Sequence, residues 1–259
     1  MADYPFRSAL ITGASSGIGA AMAEALGDAS VPTVLVARRG DRLREIADRF
    51  PGFTVLEADL TKKKGRQATI EVVADPDDAP ELVVNNAGFG SSGRFDRLDP
   101  KRLGDEIDLN VGALTALSHA ALARMIPQGR GYLLNVSSVA SFQAVPGLAV
   151  YAATKAYVTS FTEAVHEEAA TSGVHVTALC PGLTRTEFQE QSDAPDIEGR
   201  VPPLMWSSAE EVAVAGLDAV ARNRTLAIPG AVNKGAVTIS SFTPRVLKRK
   251  VSRLMNPEL

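Results

Sequence analysis

Ser8-Ala9-Leu10-Ile11-Thr12 is a short apolar run that leads straight into Gly13-Ala14-Ser15-Ser16-Gly17-Ile18-Gly19, after which Ile18, Met22, Ala25 and Leu26 fall at helical spacing. The order is strand, glycine turn, helix start. Free backbone amides and the positive end of the helix at such a turn can receive a pyrophosphate. Gly13 permits the tight turn, Gly17 lets the backbone approach the phosphates, and Gly19 allows close packing of helix on strand. The spacing is G-x-x-x-G-x-G rather than the commoner G-x-G-x-x-G, and a glycine turn with no ligand is the competing reading.

Outward from this unit, strand-like runs alternate with helical ones: Thr33 to Ala37, Thr54 to Glu57, Leu82 to Asn85, Gly131 to Val136, Val174 to Cys180 and Thr225 to Ile228. Alternation of this kind predicts an α/β fold, a Rossmann-type doubly wound parallel sheet of about seven strands with helices on both faces. Asp99 before Pro100, and Ser208 with Glu211, mark helix starts. No repeat, low-complexity stretch or long linker divides the chain, so residues 1–259 are expected to form one domain.

At the end of the second predicted strand, where an acidic residue would hold the ribose 2′-hydroxyl of NAD, stand Ala37, Arg38 and Arg39. A guanidinium matches a phosphate in bidentate geometry and a carboxylate would repel it. The pair therefore points to NADP(H) over NAD(H), the alternative being two surface charges at a strand end.

Tyr151-Ala152-Ala153-Thr154-Lys155, with Ser138 upstream, can gather a phenol, an ammonium and a hydroxyl around one reacting oxygen. Positions i and i+4 share a helix face, so the Lys155 cation is expected near the Tyr151 hydroxyl, lowering its pKa from about 10. A shift of about three units, to where a general acid works best, corresponds to about 4 kcal/mol. One cation alone would struggle to supply that, and a second positive charge is implied. Alone, Tyr-x-x-x-Lys also reads as a solvated surface pair.

From about Arg7 to about Thr186 the chain resembles the short-chain dehydrogenase/reductase family, whose motifs recur here in order. Thr12 to Gly19 resembles its cofactor turn, with Gly13, Ser15, Ser16, Gly17, Ile18 and Gly19 as cofactor contacts. Asp59-Leu60 resembles the pair beside the adenine, and Asn85-Asn86-Ala87-Gly88 the fourth-strand motif. Asn110 resembles the helix asparagine, Asn135-Val136-Ser137-Ser138 the active-site serine segment, Tyr151 and Lys155 the catalytic pair, and Pro181-Gly182 with Thr184 and Thr186 the nicotinamide-side loop. The resemblance implies hydride transfer from the reduced coenzyme to a carbonyl carbon while Tyr151 protonates the developing alkoxide. The oxidised coenzyme ring would be the second positive charge. Ser138 would hydrogen-bond the same oxygen, and Lys155 would hold the cofactor ribose and shift the tyrosine. Asn110 would interrupt its helix and extend a proton path to solvent; a polar residue satisfied by neighbouring backbone is the alternative.

Composition bounds the function classes. The chain has 259 residues, 45% of them hydrophobic and 22% charged, and a net charge of -3, so no basic excess suits it to nucleic acid. The single cysteine, Cys180, sits in an apolar run and reads as a buried strand residue, and the three histidines lie far apart without metal-ligand spacing. No secretory signal and no run of eighteen apolar residues is visible, so a soluble, cytoplasmic protein is expected.

Residues 184–206 break the pattern with Pro195, Pro202, Pro203 and Gly199 and add five acidic residues, Glu187 among them. This is a substrate-lid candidate, the alternative being a surface connection with no selective role. Phe89 and Gly90, Gln143 and Val145, and Leu183, Phe188 and Trp206 are expected to meet a small-molecule substrate. Their apolar character favours a hydrophobic carbonyl or secondary alcohol. Pro229-Gly230-Ala231 stands where many members of the family carry Asp-Gly-Gly at a tetramer interface, so a homo-oligomer formed through helices near Leu114 to Met125 and Ala152 to Ala170, a dimer rather than a tetramer, is expected. The basic tail 244–259 could touch an anionic membrane or pack as a terminal helix. Branches of the family with such tails include reductases of acyl and steroid ketones. Two function classes follow: an NADP(H)-dependent oxidoreductase, or a non-catalytic NADP-binding sensor or partner-binding module on the same fold. The set Asn110, Ser138, Tyr151 and Lys155 favours the enzyme, since pure binding has no need of the tyrosine proton.

Overall fold

The computed structural model describes residues 4–192 and 203–242. The middle of the lid candidate, the basic tail and the first three residues lie outside that range. In chain order the elements of the main unit are β1 (Ala9–Thr12), α1 (Gly17–Asp28), β2 (Thr33–Ala37), α2 (Gly40–Ala47), β3 (Thr54–Glu57), α3 (Lys63–Val73), β4 (Leu82–Asn85), α4 (Pro100–Ile107), α5 (Leu114–Gln128), β5 (Gly131–Val136), α6 (Ala149–Ala169) and β6 (Val174–Leu179). After them come β7 (Leu183–Thr184), α7 (Phe188–Gln191), β8 (Trp206–Ser207), α8 (Ala209–Ala221), β9 (Leu226–Ala227) and α9 (Ala231–Phe242).

Seven strands form one sheet in the order β3-β2-β1-β4-β5-β6-β9, every pair parallel. Leu10 lies between Val34 and Val83, and Val84 beside Leu134, so the central strands are covered on both faces and read as continuous apolar runs. Alternation across the pleat divides them between two cores. Ile11 and Leu134 pack with Met22, Leu26 and Leu217 under α1 and α8. Leu10 and Leu133 pack with Leu117, Met125 and Val165 under α5 and α6. Strand order reverses between β1 and β4, and a ligand crevice opens at the carboxyl ends of strands at such a switch point.

The anticipated helix starts are present. The Asp99 carboxylate accepts a hydrogen bond from the Lys101 amide, with Pro100 in the first turn, and Ser208 and Glu211 form a reciprocal capping box. The helical stretch Pro100–Gln128 is long and apolar enough by composition to cross a bilayer, but Leu114, Leu117, Ala121, Leu122 and Met125 bury one face of it in the core. Between α4 and α5 the backbone passes through a π-helical segment, Asp108–Ala113, centred on Asn110. The expected last strand contracts to Leu226–Ala227 because Pro229 cannot donate to a ladder. The pairing of β7 with β8 was not anticipated, since two-residue strands carry no period to detect.

A buried polar ladder fixes α6 on the sheet. The Asn85 amide on β4 donates to Asn135 Oδ1 at 2.9 Å and to Ser118 Oγ at 3.0 Å, and Asn135 Nδ2 donates to Thr162 Oγ1 on α6 at 3.0 Å. Asn135 is fully buried, so truncation strands its partners without water. Asn135→Ala is expected to cost about 2–4 kcal/mol, a lost pair of hydrogen bonds plus a small cavity, read as a lower denaturant midpoint at unchanged slope.

Candidate active site

The crevice is a cavity of about 1250 Å³ running from Arg38 and Asp59 at one end to Phe89, Val145 and Phe188 at the other. Its floor begins at the glycine turn. Gly13 and Gly17 have φ of +68° and +56°, conformations that side chains resist. A Cβ on Gly19 would lie 2.4 Å from both Asn86 Nδ2 and Gly13 O, so this glycine serves close packing behind the crevice and does not line it. Thr12 ties turn to sheet: its hydroxyl donates to Val84 O at 3.1 Å and accepts from the amides of Asn86 and Ala87 at 3.0 Å. Asn86 Nδ2 donates to Thr12 O at 2.9 Å. The Ser16 side chain does not cap α1, and the amides of its first turn remain available to an anion.

The two arginines after β2 part company. Arg38 is exposed and acts on Asp59 through its charge. Arg39 turns inward: Nε donates to Ser15 Oγ at 3.2 Å, one terminal nitrogen to Ser16 Oγ at 2.6 Å, and the other to Glu187 Oε2 at 2.8 Å. Arg42 donates to the second oxygen of Glu187 at 2.5 Å. The hydrogen bonds from Arg39 and Arg42 pull the Glu187 carboxyl down to about 2. Sequence reading counted Glu187 only among the acids of the lid candidate, since nothing local links it to arginines some 145 residues away in the chain. Asp59 accepts from the Thr61 amide and hydroxyl; burial works against its charge, but these bonds and the Arg38 and Lys62 charges leave its carboxyl below the usual range.

Tyr151 and Lys155 stand in the first two turns of α6, both buried, with the ammonium 5.8 Å from the centre of the phenol ring. The expected lowering of the phenol by Lys155 is outweighed by burial. Burial pushes Tyr151 up to about 12, with the Ser138 hydroxyl pulling the other way and the Glu106 carboxylate adding to the rise. Burial likewise pushes Lys155 down to about 8, and its Nζ donates to Val136 O at 2.8 Å. Desolvation outweighs a cation directed at a carbonyl rather than at the phenol oxygen. Ser138 starts the short turn after β5, its Oγ accepting from the Ala140 amide at 3.1 Å. Ser137 holds α6 against β5 by donating to Lys155 O at 2.9 Å.

Lysine burial has a signed consequence for stability. The folded Lys155 pKa lies below its unfolded value, so between about pH 8 and pH 10.5 the unfolded chain binds more protons and stability rises with pH. Tyr151 has the opposite sign: its pKa is raised by folding, and stability is lost above about pH 10. Lys155→Met is therefore expected to be at least as stable as the parent at pH 7, with the difference shrinking as pH rises from 8 to 10. Thermal melts across that range check this.

Asn110 is buried behind the crevice, where Oδ1 accepts from the Phe89 amide at 3.2 Å and Nδ2 donates to Phe89 O at 2.9 Å and Thr154 Oγ1 at 3.1 Å. It thus fixes the loop after β4 on α6. Gly88, Pro181, Gly182, Thr184 and Thr186 line the crevice together with Ile18, Leu60 and Ala87. Of the substrate candidates, Phe89, Gln143, Val145, Leu183 and Phe188 line it, the Phe188 ring 5.3 Å from that of Tyr151. Trp206 does not. It faces Arg185 at 6.0 Å, and the preceding Met205, the last residue of a short 3-10 turn before β8, lines the cavity instead. Gly90 also stands behind the lining, where an added Cβ would lie 3.2 Å from the Tyr151 ring. Glu106 was missed: it is wholly buried on α4, and burial raises its carboxyl against the opposing Ser91 hydroxyl and Arg102 charge. A glutamate beside Asp105 on a short, charge-rich helix ordinarily reads as solvated, so no sequence signal marks it. Cys180 is a buried thiol pushed up to about 11 by burial, in keeping with a strand-end core residue.

The family model described as short chain dehydrogenase matches residues 7–196. An uncharacterized oxidoreductase of Myxococcus xanthus is 32% identical over 233 residues, covering 88% of this chain and 90% of the relative. A short-chain dehydrogenase from Sphingobium yanoikuyae, solved with NADPH, superposes with a TM-score of 0.80 at 31% identity, covering 92% of this chain and 96% of that one. The bulky-bulky ketone specific alcohol dehydrogenase from Comamonas testosteroni gives 0.76 at 29% identity, covering 92% and 95%. With a doubly wound sheet, a glycine turn at its switch point and a buried Tyr-Lys pair facing one cavity, the chain belongs to the short-chain dehydrogenase family and is an oxidoreductase.

Proposed function

We propose that the protein is an NADP(H)-dependent carbonyl reductase, or the reverse alcohol dehydrogenase, acting on a hydrophobic ketone or secondary alcohol. One observation carries the reading: Tyr151 and Ser138 face the end of the cavity walled by Phe89, Val145, Leu183 and Phe188. The residues present fit a dinucleotide. Uncapped amides of α1, the positive φ of Gly13 and Gly17 and the hydroxyls of Ser15 and Ser16 suit a diphosphate, and Arg38 and Arg39 suit a 2′-phosphate. The bound coenzyme would supply the hydride.

The chain's own residues handle the proton. A phenol held at about 12 is fully protonated at neutral pH, the form needed to donate to an alkoxide. Ser138 orients the substrate oxygen by a second hydrogen bond. Lys155, its ammonium 5.8 Å from the centre of the phenol ring, favours the ionised form of the phenol against the burial that raises it. The apolar wall excludes water and selects against sugars and charged acids. That a structural relative is specific for bulky ketones supports the substrate class, and the NADPH bound to another supports the coenzyme. A homodimer joined through α5 and α6 is part of this reading, with Ile126 and Tyr157 exposed along them, and so is a place in the cytoplasm, where a lone buried thiol needs no oxidising partner.

A screen of aliphatic, aromatic, acyl and steroid ketones, followed by NADPH absorbance, tests the proposal. Turnover is expected with the bulkier apolar ketones. Tight NADPH binding with no turnover of any ketone or alcohol would instead identify a coenzyme sensor.

A further inference from the structure

The segment after β7 crosses the coenzyme crevice as a strap. Thr186 lies over the start of α1, where a Cβ on Gly17 would meet it at 3.1 Å. Phe188 rests on the Tyr151 ring at 5.3 Å. Between them Glu187 reaches to the far wall and places one carboxylate oxygen on Arg39 and the other on Arg42. A carboxylate bonded to two guanidinium groups is chemically what a phosphate would be at the same place.

We infer that Glu187 is an internal competitor for the coenzyme phosphate that Arg39 binds, holding that arginine until the nucleotide displaces it. The inference rests on the NADP(H) reading above and adds a determinant of coenzyme affinity that the arginines alone do not reveal. Three of the nitrogen donors of Arg39 are committed, two to the serine hydroxyls of the glycine turn and one to Glu187. A phosphate arriving at the Glu187 side must replace the carboxylate or sit beside a like charge. The arrangement suits exchange. The side chains of Arg39, Arg42 and Glu187 are 38%, 46% and 37% exposed, and ion pairs so open to water are weakly held compared with a bidentate phosphate. Arg42 lies beyond Arg39 on α2 and offers the displaced carboxylate a second cation, so its charge need not be left unpaired.

Glu187→Gln keeps the size and a hydrogen-bonding side chain but removes the charge. Equilibrium titration of the purified full chain with NADPH and with NADH, read by nucleotide fluorescence, is the test. NADPH is expected to bind roughly fivefold tighter to the variant. A gain confined to NADPH assigns the displaced contact to the 2′-phosphate, and an equal gain for NADH assigns it to the diphosphate; either supports competition. Unchanged or weaker NADPH binding overturns it, and so does an equal gain in Asp41→Asn, which removes an acidic charge from α2 that pairs with Arg44 and not with Arg39. Parent protein that binds NADH as tightly as NADPH would count against the NADP(H) reading, a result separate from the effect of the Glu187 substitution.

Discussion

Tyr151→Phe is expected to lower kcat by about 10³-fold or more while NADPH affinity stays within about twofold. The phenol is the proton-bearing group in the apolar end of the cavity, and removing its oxygen leaves Ser138 able to bind a carbonyl oxygen but not to protonate it. Coenzyme contacts elsewhere in the crevice are untouched. The loss therefore falls on the chemical step, and single-turnover measurements at saturating NADPH should show it undiluted. Comparable turnover in the variant would remove Tyr151 from the proton transfer. The raised phenol also predicts different demands on the two directions. Reduction needs the protonated form already present. Oxidation needs a base, so its rate should climb with pH until the phenol is ionised in the complex, a point well below 12 if bound positive charge acts with Lys155.

Replacing Arg38 and Arg39 together by Ala is expected to weaken NADPH by about 10²-fold and NADH by only a few fold. Each charge-assisted contact to a phosphate contributes about 1.5–3 kcal/mol, and NADH lacks the 2′-phosphate. The single variants should differ. Arg39 also binds the hydroxyls of Ser15 and Ser16, so Arg39→Ala loosens the glycine turn and costs both coenzymes something. Arg38 is exposed beside Asp59 with no such tie, and Arg38→Ala should act on NADPH alone. Equal losses for NADPH and NADH in the double variant would count against phosphate recognition at the end of β2.

Buried polar groups explain why this site is stable enough to hold unfavourable charges. Lys155 and Tyr151 both lose solvation on folding, and Glu106 sits close enough to raise the phenol further. Their helix is nevertheless pinned to the sheet by Asn135 through Thr162 and by Ser137 through the Lys155 carbonyl. Supporting bonds and reacting groups thus share the sheet-facing side of α6, with Thr162 two turns beyond Lys155. Substitution at Asn135 should shift stability first, and substitution at Tyr151 activity first.

The sequence by itself determined the sheet and its crevice, because period-2 and continuous apolar runs, glycine at positive φ and capping residues are local properties. Ser8 to Gly19 specified a strand, a turn and a helix, and six further runs specified the parallel partners found beside it. It also identified the Tyr151 and Lys155 pair, since one turn of helix fixes their common face. What tertiary structure alone decided is the state and company of those groups. Whether a cation lowers a phenol or both are governed by desolvation depends on how deeply the crevice buries them. Whether Arg39 stands open or is held by Glu187 depends on a strap that returns from the far end of the chain. Met205 rather than Trp206 faces the cavity for a similar reason: orientation at an irregular strand start is set by what it packs against, here β7. Long-range electrostatics and burial are sums over neighbours that folding assembles, and no window of sequence contains them.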